Sequence, residues 1–201
     1  MSNAQYPVTE IFYTLQGEGV QTGRAAAFIR LAGCRNGCPW CDTAEAQNPG
    51  SGSPMTADEI AGRVAESGAR TAVITGGEPL LHDLKALTTA LHAQNTEVWL
   101  ETSGTEPLSG DFDWICLSPK RFAPPVEAMF AAADELKAVI ACERDLDYAV
   151  ECAAKVSDGC RLCMQPEWNG RSRTVPAVVE FIKAHPEWRL SLQTHKFIDI
   201  P

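Results

Sequence analysis

A chain of 201 residues, 45% hydrophobic and 21% charged, can bury the core of one compact domain, so the expected organisation is a single domain over residues 1–201. Its net charge of −9 repels phosphate backbones and argues against nucleic-acid partners, while a small anionic substrate held by a few cations remains compatible. With no apolar run long enough to span a bilayer and no secretory pattern at the start, a cytoplasmic protein without a membrane partner is expected, and its 8 cysteines suit metal or redox chemistry better than a disulfide framework.

In chain order, Gln16 and Glu18 fall in a Gly-rich turn, and residues 27–32 form the first apolar strand. Residues 48–54, rich in Gly, Ser and Pro, read as a surface loop. Thr56 and Glu59 have capping-box spacing and open a helix whose Ile60 and Val64 share a face. A strand at 71–75 is followed by a helix marked by Leu84, Leu87 and Leu91, then by a strand at 97–101. The connection to the next strand, Trp114–Leu117, is short and has no helical period. The remaining elements are a short helix at 126–133, strands at 136–140, 161–165 and 189–193, and helices at 143–157 and 174–184. Alternating strands and helices, with apolar strands, predict a parallel sheet buried on both faces and active residues at the carboxyl ends of its strands. The length is short for a closed eight-fold barrel. The predicted fold is therefore α/β, a partial, open (β/α) barrel of about six parallel strands with reduced helices.

The strongest chemical signal is Gly33-Cys34-Arg35-Asn36-Gly37-Cys38-Pro39-Trp40-Cys41-Asp42, directly after the first strand. Three thiolates can hold three irons of a [4Fe–4S] cubane and leave the fourth open to a ligand. The alternative is zinc, shared between Cys38, Cys41 and the Cys160/Cys163 pair. Cys163 alternates with Leu162 and Met164 as a buried strand thiol would, and Cys116, Cys142 and Cys152 read as core. Thr75-Gly76-Gly77-Glu78-Pro79 ends the next strand, where two glycines admit a ligand close to the backbone. Arg30, in an apolar strand, needs either a structural ion-pair partner or an anionic ligand such as a carboxylate.

The cysteine spacing followed by Gly-Gly-Glu-Pro resembles the radical S-adenosylmethionine superfamily. More narrowly, seven further segments are similar to the 7-carboxy-7-deazaguanine synthase family. They are Phe12-Tyr13-Thr14-Leu15-Gln16-Gly17-Glu18-Gly19, Phe28-Ile29-Arg30-Leu31, Cys41-Asp42-Thr43 and, later, Glu101-Thr102-Ser103-Gly104, Leu117-Ser118-Pro119-Lys120, Gln165-Pro166 and Gln193-Thr194-His195-Lys196. The resemblance runs essentially end to end. It implies a [4Fe–4S] cluster on Cys34, Cys38 and Cys41, with S-adenosylmethionine against Trp40, Cys41, Asp42, Gly76, Gly77, Glu78, Gly104, Ser118, Pro119, Lys120 and Gln165. It implies a pterin substrate at Leu15, Gln16, Gly17, Glu18, Arg30, Thr102, His195 and Pro201, and Mg2+ on the Thr43 hydroxyl. The implied reaction is ring contraction of 6-carboxy-5,6,7,8-tetrahydropterin with loss of ammonia, on the route to queuosine and other 7-deazapurines. The protein would be a homodimer served by an electron donor such as flavodoxin or ferredoxin. Ile198 and Ile200, alternating with Asp199, would pin the tail that carries Pro201 over the substrate. A glycyl-radical activase of the same superfamily and a zinc-stabilised binding module are the competing readings.

Overall fold

The computed structural model describes residues 4–201. One sheet organises them. Its strands are β1 (Gln5–Leu15), β2 (Ala25–Leu31), β3 (Ser53–Thr56), β4 (Thr71–Gly76), β5 (Glu97–Thr102), β6 (Trp114–Leu117), β7 (Glu135–Ile140), β8 (Arg161–Pro166) and β9 (Trp188–Leu190), in the spatial order β3-β1-β2-β4-β5-β6-β7-β8-β9. From β2 to β9 every neighbouring pair is parallel, while β1 runs antiparallel to both β2 and β3. The edges β3 and β9 do not pair with each other, so the barrel is open. The helices are α1 (Ala57–Glu66), α2 (Lys85–Ala93), α3 (Glu127–Ala132), α4 (Arg144–Ala153), α5 (Arg171–Ala184) and α6 (Thr194–Ile198). The connection from β5 to β6 carries no helix, as its composition predicts.

The period of two along each strand sorts the side chains. Ala27, Ile29 and Leu31 of β2, Ala72 and Ile74 of β4, Val98 and Leu100 of β5, and Leu136, Ala138 and Ile140 of β7 enter one core with Ile60, Leu87, Leu91 and Val178 of the helices. Each such branched side chain contributes roughly 1.5–3 kcal/mol on burial. The alternate residues face the concave side. There Ala26, Val73 and Trp99, with Phe28 and Trp114, form a small apolar floor. The expectation of strands apolar on both faces is corrected here. The concave face also carries Arg30, Thr75, Glu101, Lys137 and Gln165, which line a cavity.

Other differences are local. β1 contains Pro7 and a register shift between Val8 and Glu10, which break the alternation that would have marked it as a strand. β3 is four residues at the sheet edge, drawn from the Gly-Ser-Pro segment read as loop, where Pro54 is tolerated. The final strand stops at Leu190 because Ser191 turns its hydroxyl to Gln165 Oε1 at 2.7 Å and the chain then bends into α6. α1 is capped as its spacing predicts: Thr56 N donates to Glu59 Oε2 at 2.7 Å, and Glu59 N to the Thr56 hydroxyl at 3.3 Å.

Candidate active site

The carboxyl ends of the parallel strands open into a cavity of about 540 Å³. Cys34, Cys38 and Cys41 line it from the loop after β2, all three as free thiols. That loop is held by backbone bonds: Gly33 N and Cys34 N donate to Ala46 O and Gln47 O at 2.7 and 3.1 Å, and Cys41 N donates to Cys38 O at 3.2 Å. The glycine pair after β4 is bonded onto it. Gly77 N donates to Leu31 O at 3.0 Å and Glu78 N to Gly33 O at 2.8 Å. A Cβ on Gly77 would collide with Gly33 O and the Cys34 side chain, so the two loops close on each other only around a glycine.

Glu78 itself turns away from the cavity. It is 1% exposed, and its carboxylate accepts from the Thr102 hydroxyl at 2.6 Å, from Leu80 N at 3.1 Å, and from both Ser103 N (2.9 Å) and the Ser103 hydroxyl. It braces the β5 terminus from behind the wall. Gly104 and Pro119 also lie outside the cavity lining. Gly104 adopts φ +73° and packs on Leu117, Pro125 and Met129, so it serves the turn there. The other expected residues, Leu15, Gln16, Gly17, Glu18, Arg30, Trp40, Asp42, Thr43, Gly76, Gly77, Thr102, Ser118, Lys120, Gln165, His195 and Pro201, do line it.

An ionic cluster dominates one wall. Lys137 Nζ donates to Glu18 Oε2 at 2.7 Å and to Glu101 Oε2 at 2.9 Å. Burial pushes the Glu18 carboxyl up, but Lys137 beside it prevails and holds it down at about 2. Burial likewise disfavours the Lys137 ammonium, and the surrounding anions overcome that, raising its pKa well above the usual value. The turn bearing Glu18 is fixed from below by buried Glu135, which accepts from Val20 N at 3.1 Å and Trp114 Nε1 at 3.3 Å. Glu101, Glu135 and Lys137 received no role in the sequence reading. Lys137 had a legible signal, since a lone cation in Glu-Leu-Lys-Ala-Val-Ile poses the same problem as Arg30.

Arg30 has the structural ion-pair partner that its place in an apolar strand calls for. Its Nε donates to Glu10 Oε1 at 2.6 Å, a structural ion pair, while the residue still borders the cavity. Lys120 donates to Ser118 O and Ser118 Oγ, both at 2.7 Å, and burial lowers its pKa. Ile198 is 58% exposed and does not pin the tail, which polar contacts hold. Thr194 N and Oγ1 donate to Gly17 O at 2.8 and 2.9 Å, and the His195 ring lies where a Cβ on Gly17 would be. Pro201 O accepts from the Thr14 hydroxyl at 3.2 Å.

The shared zinc site is ruled out by topology. Cys160 precedes β8 and Cys163 lies within it, whereas Cys38 and Cys41 follow the carboxyl end of parallel β2. Both members of the pair are buried, and burial pushes the Cys160 and Cys163 thiols up to about 11 and 12. Among the described residues no three His, Cys, Asp or Glu side chains converge as one metal ion would require. A cubane makes a different demand, one thiolate for each of three irons, and three free thiols around one cavity supply that donor set.

Residues 28–136 match the Radical SAM superfamily, and the chain belongs to it. Within that class it belongs to the 7-carboxy-7-deazaguanine synthase family. It is 46% identical over 195 residues to the 7-carboxy-7-deazaguanine synthase of Flavobacterium psychrophilum, covering 97% of this chain and 92% of that one. It is 43% identical to the synthase of Synechocystis, covering 97% and 93%. The crystal structure of QueE from Escherichia coli superposes with a TM-score of 0.83 at 32% identity, over 95% of each chain.

Proposed function

We propose that this protein converts 6-carboxy-5,6,7,8-tetrahydropterin to 7-carboxy-7-deazaguanine and ammonia, on the route to queuosine and related 7-deazapurines. The observation that carries the reading is one cavity lined by three free cysteines, a cation (Arg30) and an ionised, lysine-held carboxylate (Glu18). Cys34, Cys38 and Cys41 would hold the [4Fe–4S] cluster. When bound, cluster and S-adenosylmethionine would supply radical chemistry, hydrogen-atom abstraction at C6 of the pterin.

The chain's own residues position and shield. Arg30, with Nε held by Glu10, offers its remaining N–H groups to the substrate carboxylate. Mg2+ on the Thr43 hydroxyl would share that carboxylate. Glu18, Gln16, Thr102, His195 and the main chain at Leu15, Gly17 and Pro201 provide the polar wall for the pterin ring. Trp40, Asp42, Gly76, Gly77, Ser118, Lys120 and Gln165 border the space for S-adenosylmethionine, with Glu78, Gly104 and Pro119 supporting from behind. The tail docked on Gly17 limits access of water. A homodimer in the cytoplasm, reduced by flavodoxin or ferredoxin and acting as one domain over residues 1–201, completes the reading.

Anaerobic reconstitution with iron and sulfide, followed by S-adenosylmethionine, Mg2+, a reductant and 6-carboxytetrahydropterin, tests it. The expected result is one ammonia per 7-carboxy-7-deazaguanine. Cleavage of S-adenosylmethionine with the pterin left intact would overturn the substrate assignment.

A further inference from the structure

Lys137 is 3% exposed and stands at the centre of the polar wall. Both carboxylates it binds are fixed at their other oxygens. Gln193 Nε2 donates to Glu18 Oε1 at 2.8 Å, and Gln16 Nε2 donates to Glu101 Oε1 at 3.1 Å. Gln16 Oε1 in turn accepts from Glu18 N at 3.1 Å. Four segments of chain are involved: the turn after β1, the end of β5, the middle of β7 and the loop before α6. All five side chains border the cavity.

Two carboxylates this close would not both stay ionised away from water without a cation between them. Lys137 is that cation. The other charged or titratable groups around this cluster are Glu135 on β7, Cys116 on β6, Cys163 on β8, Lys120 beyond β6, His195 on α6 and Asp42, whose carboxylate shares Gln193 Nε2 with Glu18. Glu18, Glu101 and Lys137 together leave one negative charge and a surface of acceptors. Such a surface favours a ring edge made of N–H donors and repels one made of carbonyls or anions.

The geometry points to Lys137 as the positioning residue of the substrate wall, fixing Glu18 and Glu101 as paired ionised acceptors for the amino and ring N–H edge of the aminopyrimidinone, with Glu101 a substrate contact beside Glu18. The inference rests on the proposed reaction and adds to it the residue that sets its specificity.

The test is steady-state kinetics of reconstituted Lys137→Met against wild type from about pH 6 to about pH 8.5. The substrate KM should rise about ten-fold or more while kcat changes less than about three-fold. The variant's KM should also fall as pH increases, because one carboxylate, deprived of its cation, holds a proton near neutrality and must lose it to accept a hydrogen bond. Wild-type KM should be flat over the same range. A role in packing alone would not create that pH dependence. Should Lys137→Met not fold, Lys137→Met/Glu101→Gln restores the single negative charge. Its KM should remain about ten-fold raised because both the cation and one acceptor are gone. Wild-type turnover together with an unchanged KM in the folded single variant, or in the double variant, overturns the inference alone. Absence of wild-type turnover overturns the proposed reaction and the inference with it.

Discussion

Lys196 donates to the Asp42 carboxylate across 2.9 Å, tying α6 to the residue that follows the third cysteine. The same Asp42 oxygen accepts from Gln193 Nε2 at 3.0 Å, so the tail reaches the cysteine loop and Glu18 at once. The Lys196–Asp42 pair is partly exposed, and such pairs are worth under about 1 kcal/mol. Lys196→Met should therefore leave thermal unfolding nearly unchanged but speed proteolytic trimming of the tail and raise the substrate KM by about three-fold. Appending glycines after Pro201, which displaces its carboxylate, should raise KM about ten-fold. Kinetics on the two proteins beside wild type decides the matter, and an extended chain with unaltered KM would remove the tail carboxylate from the site.

Replacing Cys34, Cys38 or Cys41 singly with Ala should abolish stable cluster binding and turnover, since each is one of three anchors. Cys160→Ser and Cys163→Ala should keep full iron and acid-labile sulfide, because both thiols are buried and neither lines the cavity that holds Cys34, Cys38 and Cys41. Metal and sulfide analysis after anaerobic reconstitution checks both halves of this prediction.

Thr43 lines the cavity with its hydroxyl 3.8 Å from Cys41 Sγ. Thr43→Ala should retain the cluster, slow turnover and weaken the response to added Mg2+. A titration of rate against Mg2+ that matches wild type would exclude the hydroxyl as a ligand.

Glu18 gives a pH dependence with a defined sign. Its carboxyl lies at about 2 in the folded protein against an ordinary 4.5, so its contribution is complete above pH 4.5 and is lost as pH falls toward 2. That displacement corresponds to about 3 kcal/mol. Chemical denaturation should find Glu18→Gln less stable than wild type by up to this amount at pH 7. The gap should narrow by about 1.4 kcal/mol at pH 3.5. A gap constant with pH would mean that the Lys137 contact contributes no differential stability.

Much of this protein was legible in one dimension. The apolar strand period, the Thr56/Glu59 cap, the helix-free link after β5 and the cysteine spacing are local features, and local sterics and ligand chemistry suffice to produce them. β1 was not legible, since Pro7 and its irregular register erase the alternation and only pairing with β2 and β3 makes it a strand. The role of Glu78 was not legible either. Gly-Gly-Glu-Pro suggested a ligand contact, yet the carboxylate accepts from β5 and its following residue, a neighbour chosen by parallel pairing. Tertiary structure alone brought Glu18, Asp42, Glu101, Lys137, Gln193 and Lys196 together. They come from five segments distant in sequence, Gln193 and Lys196 sharing the last, and their meeting depends on the strand order and on which side of the sheet an alternating side chain faces. Sequence determines that a buried lysine must find an anion; the register of the sheet determines which one.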